Sequence, residues 1–104
     1  MKTKILILGS GIASSAYASI LVHKKIEGII LGSPFDNHLI QSFKKNKMDK
    51  RNKIRFGKKI NFLFDDEYSV LKKKKFNLII VGTNSKGLSW AIKRLNDLKI
   101  DSPV

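Results

Sequence analysis

The chain of 104 residues contains no cysteine, two prolines, one tryptophan and only eight acidic residues. Without thiols there are no disulfides, zinc–thiolate sites or cysteine nucleophiles. No apolar run approaches the ~20 residues of a membrane span. The run Ile5–Leu8 is too short for a signal-peptide core, and Gly-Ser-Gly follows it where a cleavage site would stand. The expectation is a soluble, cytoplasmic protein with no membrane partner. The length suits one small domain with a real core.

What the chain has is positive charge. Twenty-one Lys and Arg face the eight acids, a formal net charge of +13, and eighteen of the twenty-one are Lys. Such a charge invites a nucleic-acid or anionic-surface reading. It also matches the Lys, Ile and Asn enrichment of an AT-rich genome. Nine of the basic residues fall between Lys44 and Lys59, with Asp49 the one acid among them, and Lys72–Lys75 form a second run. Few aromatics lie among them, and none makes a base-stacking series. The expected reading is a solvated, mobile loop; attraction of a phosphorylated cofactor or substrate is the alternative, and nucleic acid is not the expected partner.

Apolar residues come in short consecutive runs: Lys4–Leu8, Gly28–Gly32 and Phe76–Gly82, with a weaker one at Ile60–Phe64 suited to a sheet edge. Runs without alternation predict strands covered on both faces. Helical patterns separate them. Ile12–Lys25 carries Ile12, Ala16, Ile20 and His23 on one face and many small residues. A second helix is expected from a cap at Asp36 to about Lys47. Asp65–Leu71 reads as a short helix, acidic at its start. The last helix, Ser85 to Leu98, places Leu88, Ala91, Ile92, Leu95 and Leu98 on one face. The alternation implies an α/β fold, a doubly wound parallel sheet.

The first strand runs into Gly9-Ser10-Gly11-Ile12-Ala13-Ser14 and then a helix. This is G-x-G-x-x-S in the context that a phosphate-binding turn requires. The first glycine makes the tight turn. The second lets backbone approach a pyrophosphate. The helix N-terminus offers unpaired N–H groups. A Rossmann-like dinucleotide site follows. The acid expected about 20 residues on, which would accept from the adenine ribose, is missing from Ile30-Leu31-Gly32-Ser33. Asp36 comes three residues late and reads as a helix cap. NADP, or tolerance of both NAD and NADP, is therefore expected, with Ser33 available to a 2′-phosphate.

At these residues the chain resembles the N-terminal part of bacterial-type NAD(P)-dependent glycerol-3-phosphate dehydrogenases. Gly9-Ser10-Gly11-Ile12-Ala13-Ser14-Ser15-Ala16 resembles the family's G-A-G-x-aromatic-G-T-A. Leu31-Gly32-Ser33 resembles its second-strand ending. Val81–Leu88 sits where the family has apolar-Ala-Val-Pro-Ser-x-x-apolar. Ala13, Ser14 and Asn84 replace the family's aromatic, Gly and Pro.

The resemblance implies that Gly9, Ser10, Gly11, Ile12 and Ala13 hold the pyrophosphate, Ser33 faces the adenine ribose, and Gly82, Thr83 and Asn84 pass beside the cofactor. It implies hydride transfer between a nicotinamide and dihydroxyacetone phosphate or glycerol 3-phosphate. It also implies that residues 1–104 are a partial Rossmann domain. The fifth strand would begin at Pro103-Val104, and the catalytic helical domain would lie beyond it. No catalytic residue is assigned within the chain, and His23 and His38 lack a second ligand at metal spacing. The alternatives are a basic nucleotide- or nucleic-acid-binding module on the same fold, and a homo-oligomer formed through the edge of the fourth strand.

Overall fold

A computed structural model describes residues 3–98. The chain runs β1 (Lys4–Leu8), α1 (Ile12–His23), β2 (Glu27–Leu31), a 3₁₀ turn (Pro34–Asp36), α2 (Asn37–Asn46), β3 (Met48–Asp49), β4 (Ile54–Arg55), β5 (Ile60–Leu63), a 3₁₀ segment (Asp65–Lys73), β6 (Leu78–Val81) and α3 (Ser85–Leu98). Four strands form one parallel sheet in the order β5-β2-β1-β6. The order reverses at β1. With helices on both faces, this is the expected α/β arrangement, compatible with a Rossmann-like fold. The weak strand, β5, does lie at an edge. The expected strand start at Pro103-Val104 lies outside the described residues. No helix among the described residues is long and apolar enough to cross a membrane.

The consecutive apolar residues of β1 serve two cores. Ile5 and Ile7 point to one face, where Ile30, Ile60 and Phe62 meet Ala18 and Leu21 of α1 and Ile40 and Phe43 of α2. Leu6 and Leu8 point to the other, with Leu31, Ile79, Leu71, Phe76, Trp90, Ala91 and Leu98. Leu6, Ile7 and Leu8 are fully buried, so each contributes about 1.5–3 kcal/mol of transfer free energy.

Four local expectations change. On α1, the apolar stripe of Ile12, Ala16 and Ile20 faces solvent, and the buried face is Ser14, Ser15, Ala18 and Leu21. Small residues win that face because the helix lies close to the sheet. On α3, Leu88 and Ile92 are exposed and Trp90 is buried, its Nε1–H donating to Asp65 Oδ1 at 2.6 Å. The short helix after β5 is 3₁₀ throughout and runs on to Lys73.

The fourth change concerns the basic segment before β5, which is folded. β3 and β4 pair as an antiparallel hairpin, and Phe56 is fully buried among Phe43 and Phe62, with ring centroids 5.1 and 4.9 Å away. The lysines dominate its composition, but one apolar anchor, Phe56, and one acid, Asp49, decide its conformation.

Candidate functional site

The site begins where β1 ends. Gly9 has φ +108°, and its N–H donates to the Leu31 carbonyl at 2.8 Å, which turns the chain across the end of β2. A Cβ there would stand 3.0 Å from Thr83 Cβ and 3.1 Å from the Gly82 carbonyl group. The fold itself therefore requires glycine at position 9. Gly11 is different. As the residue before α1 it has φ −67° and ψ 173°, which any residue adopts. An added Cβ would meet only the Gly82 carbonyl oxygen, at 3.4 Å. Nothing in the protein demands glycine at position 11. The N-terminus of α1 has no side-chain cap and no acid in its first turn.

Two contacts fix this turn from β6. Ser14 Oγ donates to the Gly82 carbonyl at 2.9 Å, and the Gly82 N–H donates to the Leu8 carbonyl at 2.8 Å. Ser14 thus fills the third motif position by bonding the strand end instead of merely clearing it. Gly82 is buried against it, where a Cβ would overlap Ser14 Oγ.

A third contact comes from the hairpin. Asp49 is 1% exposed and accepts four hydrogen bonds: from Ser15 Oγ at 2.5 Å, Arg51 N–H at 3.0 Å, Arg51 Nε at 3.0 Å and Arg51 Nη2 at 2.8 Å. Arg51 Nη2 also donates to the Ser10 carbonyl at 2.6 Å. The hairpin tip therefore grips the glycine loop at Ser10 and again at Ser15. Burial pushes the Asp49 carboxyl up, but the Arg51 and Ser15 hydrogen bonds outweigh it and hold the group below its ordinary value. Ser10 Oγ is buried without a hydrogen-bond partner among the described residues.

A cleft opens at the C-terminal ends of the central strands, lined by Gly11, Ser33, Phe35, Asp36, Leu39, Arg51, Thr83, Asn84, Lys86 and Gly87. Ligands bind at this end of doubly wound sheets, where the strand order reverses. The cleft measures about 200 Å³, below the ~300–1,000 Å³ of sites that enclose a drug-sized molecule. It suits one part of a ligand that otherwise lies along the surface.

Of the expected residues, Gly11, Ser33, Thr83 and Asn84 meet in this cleft. Gly9, Ser10 and Gly82 lie buried behind it, and Ile12 and Ala13 are exposed on the first turn of α1. Asn84 Oδ1 also accepts the Gly87 N–H at 3.1 Å, within the first turn of α3.

Asp36 departs from its expected role. It makes no side-chain cap to α2. Its Oδ2 accepts the Ser33 hydroxyl at 2.9 Å, and the residue lines the cleft. The 3₁₀ turn Pro34–Asp36 shortens the path from β2 and brings the acid to the strand end. Arg51 and Lys86 were not among the expected site residues either. For Arg51 the signal was present in the sequence: the one acid in a cationic run, two residues before an arginine, marks a buried pair. His23 and His38 are both exposed. No protein-family model and no curated protein matches this chain.

Proposed function

We propose that this chain binds a dinucleotide, NAD or NADP, with the pyrophosphate on the Gly9–Ser14 turn. The observation that carries the reading is Gly11. Its backbone is ordinary and a side chain there would meet only the Gly82 carbonyl oxygen, at 3.4 Å, so close approach of a ligand supplies the reason for glycine. The uncapped N-terminus of α1 and the cleft between Ser33 and Thr83 support it. On the ribose wall, Asp36 offers an acceptor to a 2′-hydroxyl, while Arg51 and Lys86 offer donors to a 2′-phosphate, joined by Ser33 if its hydroxyl leaves Asp36. Both cofactors therefore stay within the proposal.

The motif resemblance extends the proposal to the cofactor-binding part of an oxidoreductase similar to glycerol-3-phosphate dehydrogenase, acting on a phosphorylated small molecule. A bound nicotinamide would supply the hydride-transfer chemistry. The residues described here bind and orient, and none is assigned a catalytic role.

Calorimetric titration with NADH and NADPH tests the reading. Binding by the wild-type chain and its loss in Gly11→Asp, with folding retained, is the expected result. No heat from either cofactor with a folded sample would sink it. An oligonucleotide bound equally by wild type and Gly11→Asp, with no cofactor binding, would favour the nucleic-acid alternative.

A further inference from the structure

The four parallel strands begin at the end of the sheet opposite the cleft, and they begin level. Lys4 is in register with Glu27, Gly28 with Ile60, and Ile5 with Leu78. Asn77, Lys4, Glu27 and Lys59 thus form one row across the sheet, roughly 14 Å wide at the usual strand spacing. The segments leading into that row are Lys24-Lys25, Lys58-Lys59 and Lys72–Lys75. With Lys4, nine lysines gather at one end of the molecule.

Among the described residues, little at this end neutralises them. Glu27 faces Lys4 at 4.0 Å, and Asp97 is held by Arg94 at 2.8 Å. The C-termini of three helices add about half a negative charge each. Among the described residues, most of these nine lysines remain uncompensated.

The strand starts are level, so no strand projects past its neighbours, and the β3–β4 tip points to the other end, at Ser10. Of the neighbouring aromatics, Phe56 and Phe76 are 0% and 6% exposed, and the half-buried Tyr68 ring already carries Arg94 at 3.9 Å and Lys72 at 5.6 Å, so no series of open rings is offered to stack on bases. A recess of about 80 Å³ opens between Lys4, Lys59 and Lys74, with the Glu27 carboxylate also on its wall, so the phosphate contacts are assigned to the outer lysines around it. We propose that this lysine face docks on an anionic phospholipid bilayer, with headgroup phosphates between the ammonium groups and the nucleotide cleft turned to solution.

The test must separate this face from the net charge of +13. Lys58 and Lys75 are exposed with no polar partner among the described residues, as are Lys50 and Lys53 in the hairpin turn. The variants Lys58→Glu/Lys75→Glu and Lys50→Glu/Lys53→Glu therefore lower the charge equally, at opposite ends. Co-sedimentation with phosphatidylglycerol–phosphatidylcholine vesicles, against pure phosphatidylcholine, reads the partition. The wild type is expected to bind only the anionic vesicles, and less as salt rises. The Lys58/Lys75 variant should bind at least about tenfold more weakly, and the Lys50/Lys53 variant within about threefold of wild type. Circular dichroism checks that both fold. Equal losses in the two variants would overturn the proposal, as would no binding by wild type at low salt. Duplex DNA displacing the protein from vesicles at equal phosphate concentration would overturn it in favour of nucleic acid.

Discussion

Gly9 and Gly11 stand two residues apart, yet a methyl group at each has a different consequence. At Gly9 it meets both a positive φ and the Gly82 carbonyl group with Thr83 Cβ, so Gly9→Ala should cost about 1–3 kcal/mol and lower the urea midpoint. At Gly11 φ is negative and the methyl would only touch the Gly82 carbonyl oxygen at 3.4 Å, an ordinary contact, so Gly11→Ala should leave the midpoint within experimental error while weakening dinucleotide binding. A Gly11→Ala variant as unstable as Gly9→Ala would remove the reason to read position 11 as a ligand contact. Asp49 is the other residue on which the loop depends. Its carboxylate is buried with its ion pair, so Asp49→Asn should cost about 2 kcal/mol, less than the ~3–5 for a fully buried pair because Arg51 is partly exposed. The pH dependence follows from direction. Asp49 and Asp65 are each pushed up by burial, but hydrogen bonds, chiefly from Arg51 and Arg94, more than reverse this and leave both below their ordinary values. The unfolded chain then binds more protons, so their contribution is present above the unfolded pKa of about 3.9 and is lost as pH falls through the folded values. Urea midpoints should be flat from pH 7 to 5 and fall below about 4, and Asp49→Asn should make that fall shallower.

Among the elements, the hairpin is where composition misleads most. Residues 44–59 read as solvated because charge dominates them, but the segment is held by Phe56 at one end and by Asp49–Arg51 at the other. Phe56→Ala removes a ring buried between Phe43 and Phe62 and should cost about 3–5 kcal/mol, a large share of the 5–15 typical of such a domain. Phe56→Leu should recover most of it. Hydrogen exchange is the discriminating readout. In Phe56→Ala, the amides of the hairpin should lose protection before those of β1 and β2, because the strap opens while the sheet holds. Uniform loss across the chain would show that hairpin and sheet unfold as one unit. The strands were legible because a chain covered on both faces must be apolar at consecutive positions, as Ile5 to Leu8 are. The helix faces were not. On α1 the hydrophobic stripe points outward, and the inward face is small and polar, because Ser14 and Ser15 satisfy their hydroxyls on Gly82 and Asp49. Periodicity of apolar residues cannot register a contact made by a serine hydroxyl. The glycine turn could be read because sterics and backbone geometry are local to it. The Asp36 and Arg51 walls depend on where a 3₁₀ turn and a hairpin tip return, which local pattern does not specify.

At the scale of the whole molecule, the excess charge opposes folding. The described chain measures 34 × 33 × 21 Å, so at 10 mM salt, where the screening length is about 30 Å, nearly every lysine acts on every other. At 300 mM that length falls to about 6 Å, and only neighbours remain coupled. The close ion pairs respond in the opposite sense. Salt weakens an exposed pair such as Lys44–Glu67 but barely touches Asp65–Arg94, where both side chains are 13% exposed. Exposed pairs contribute about 0–1 kcal/mol each, and few are available with eight acids in the chain. Repulsion spread over a net +13 therefore outweighs what screening removes from attraction. The melting temperature should rise as sodium chloride increases from 10 to 300 mM, the reverse of a domain stabilised by surface salt bridges. Sodium fluoride should act the same way, since the effect depends on ionic strength and not on a bound anion. A melting temperature that falls over this range would mean that the surface ion pairs outweigh the lysine repulsion. A rise with phosphate far above that with fluoride at equal ionic strength would point instead to occupation of an anion site.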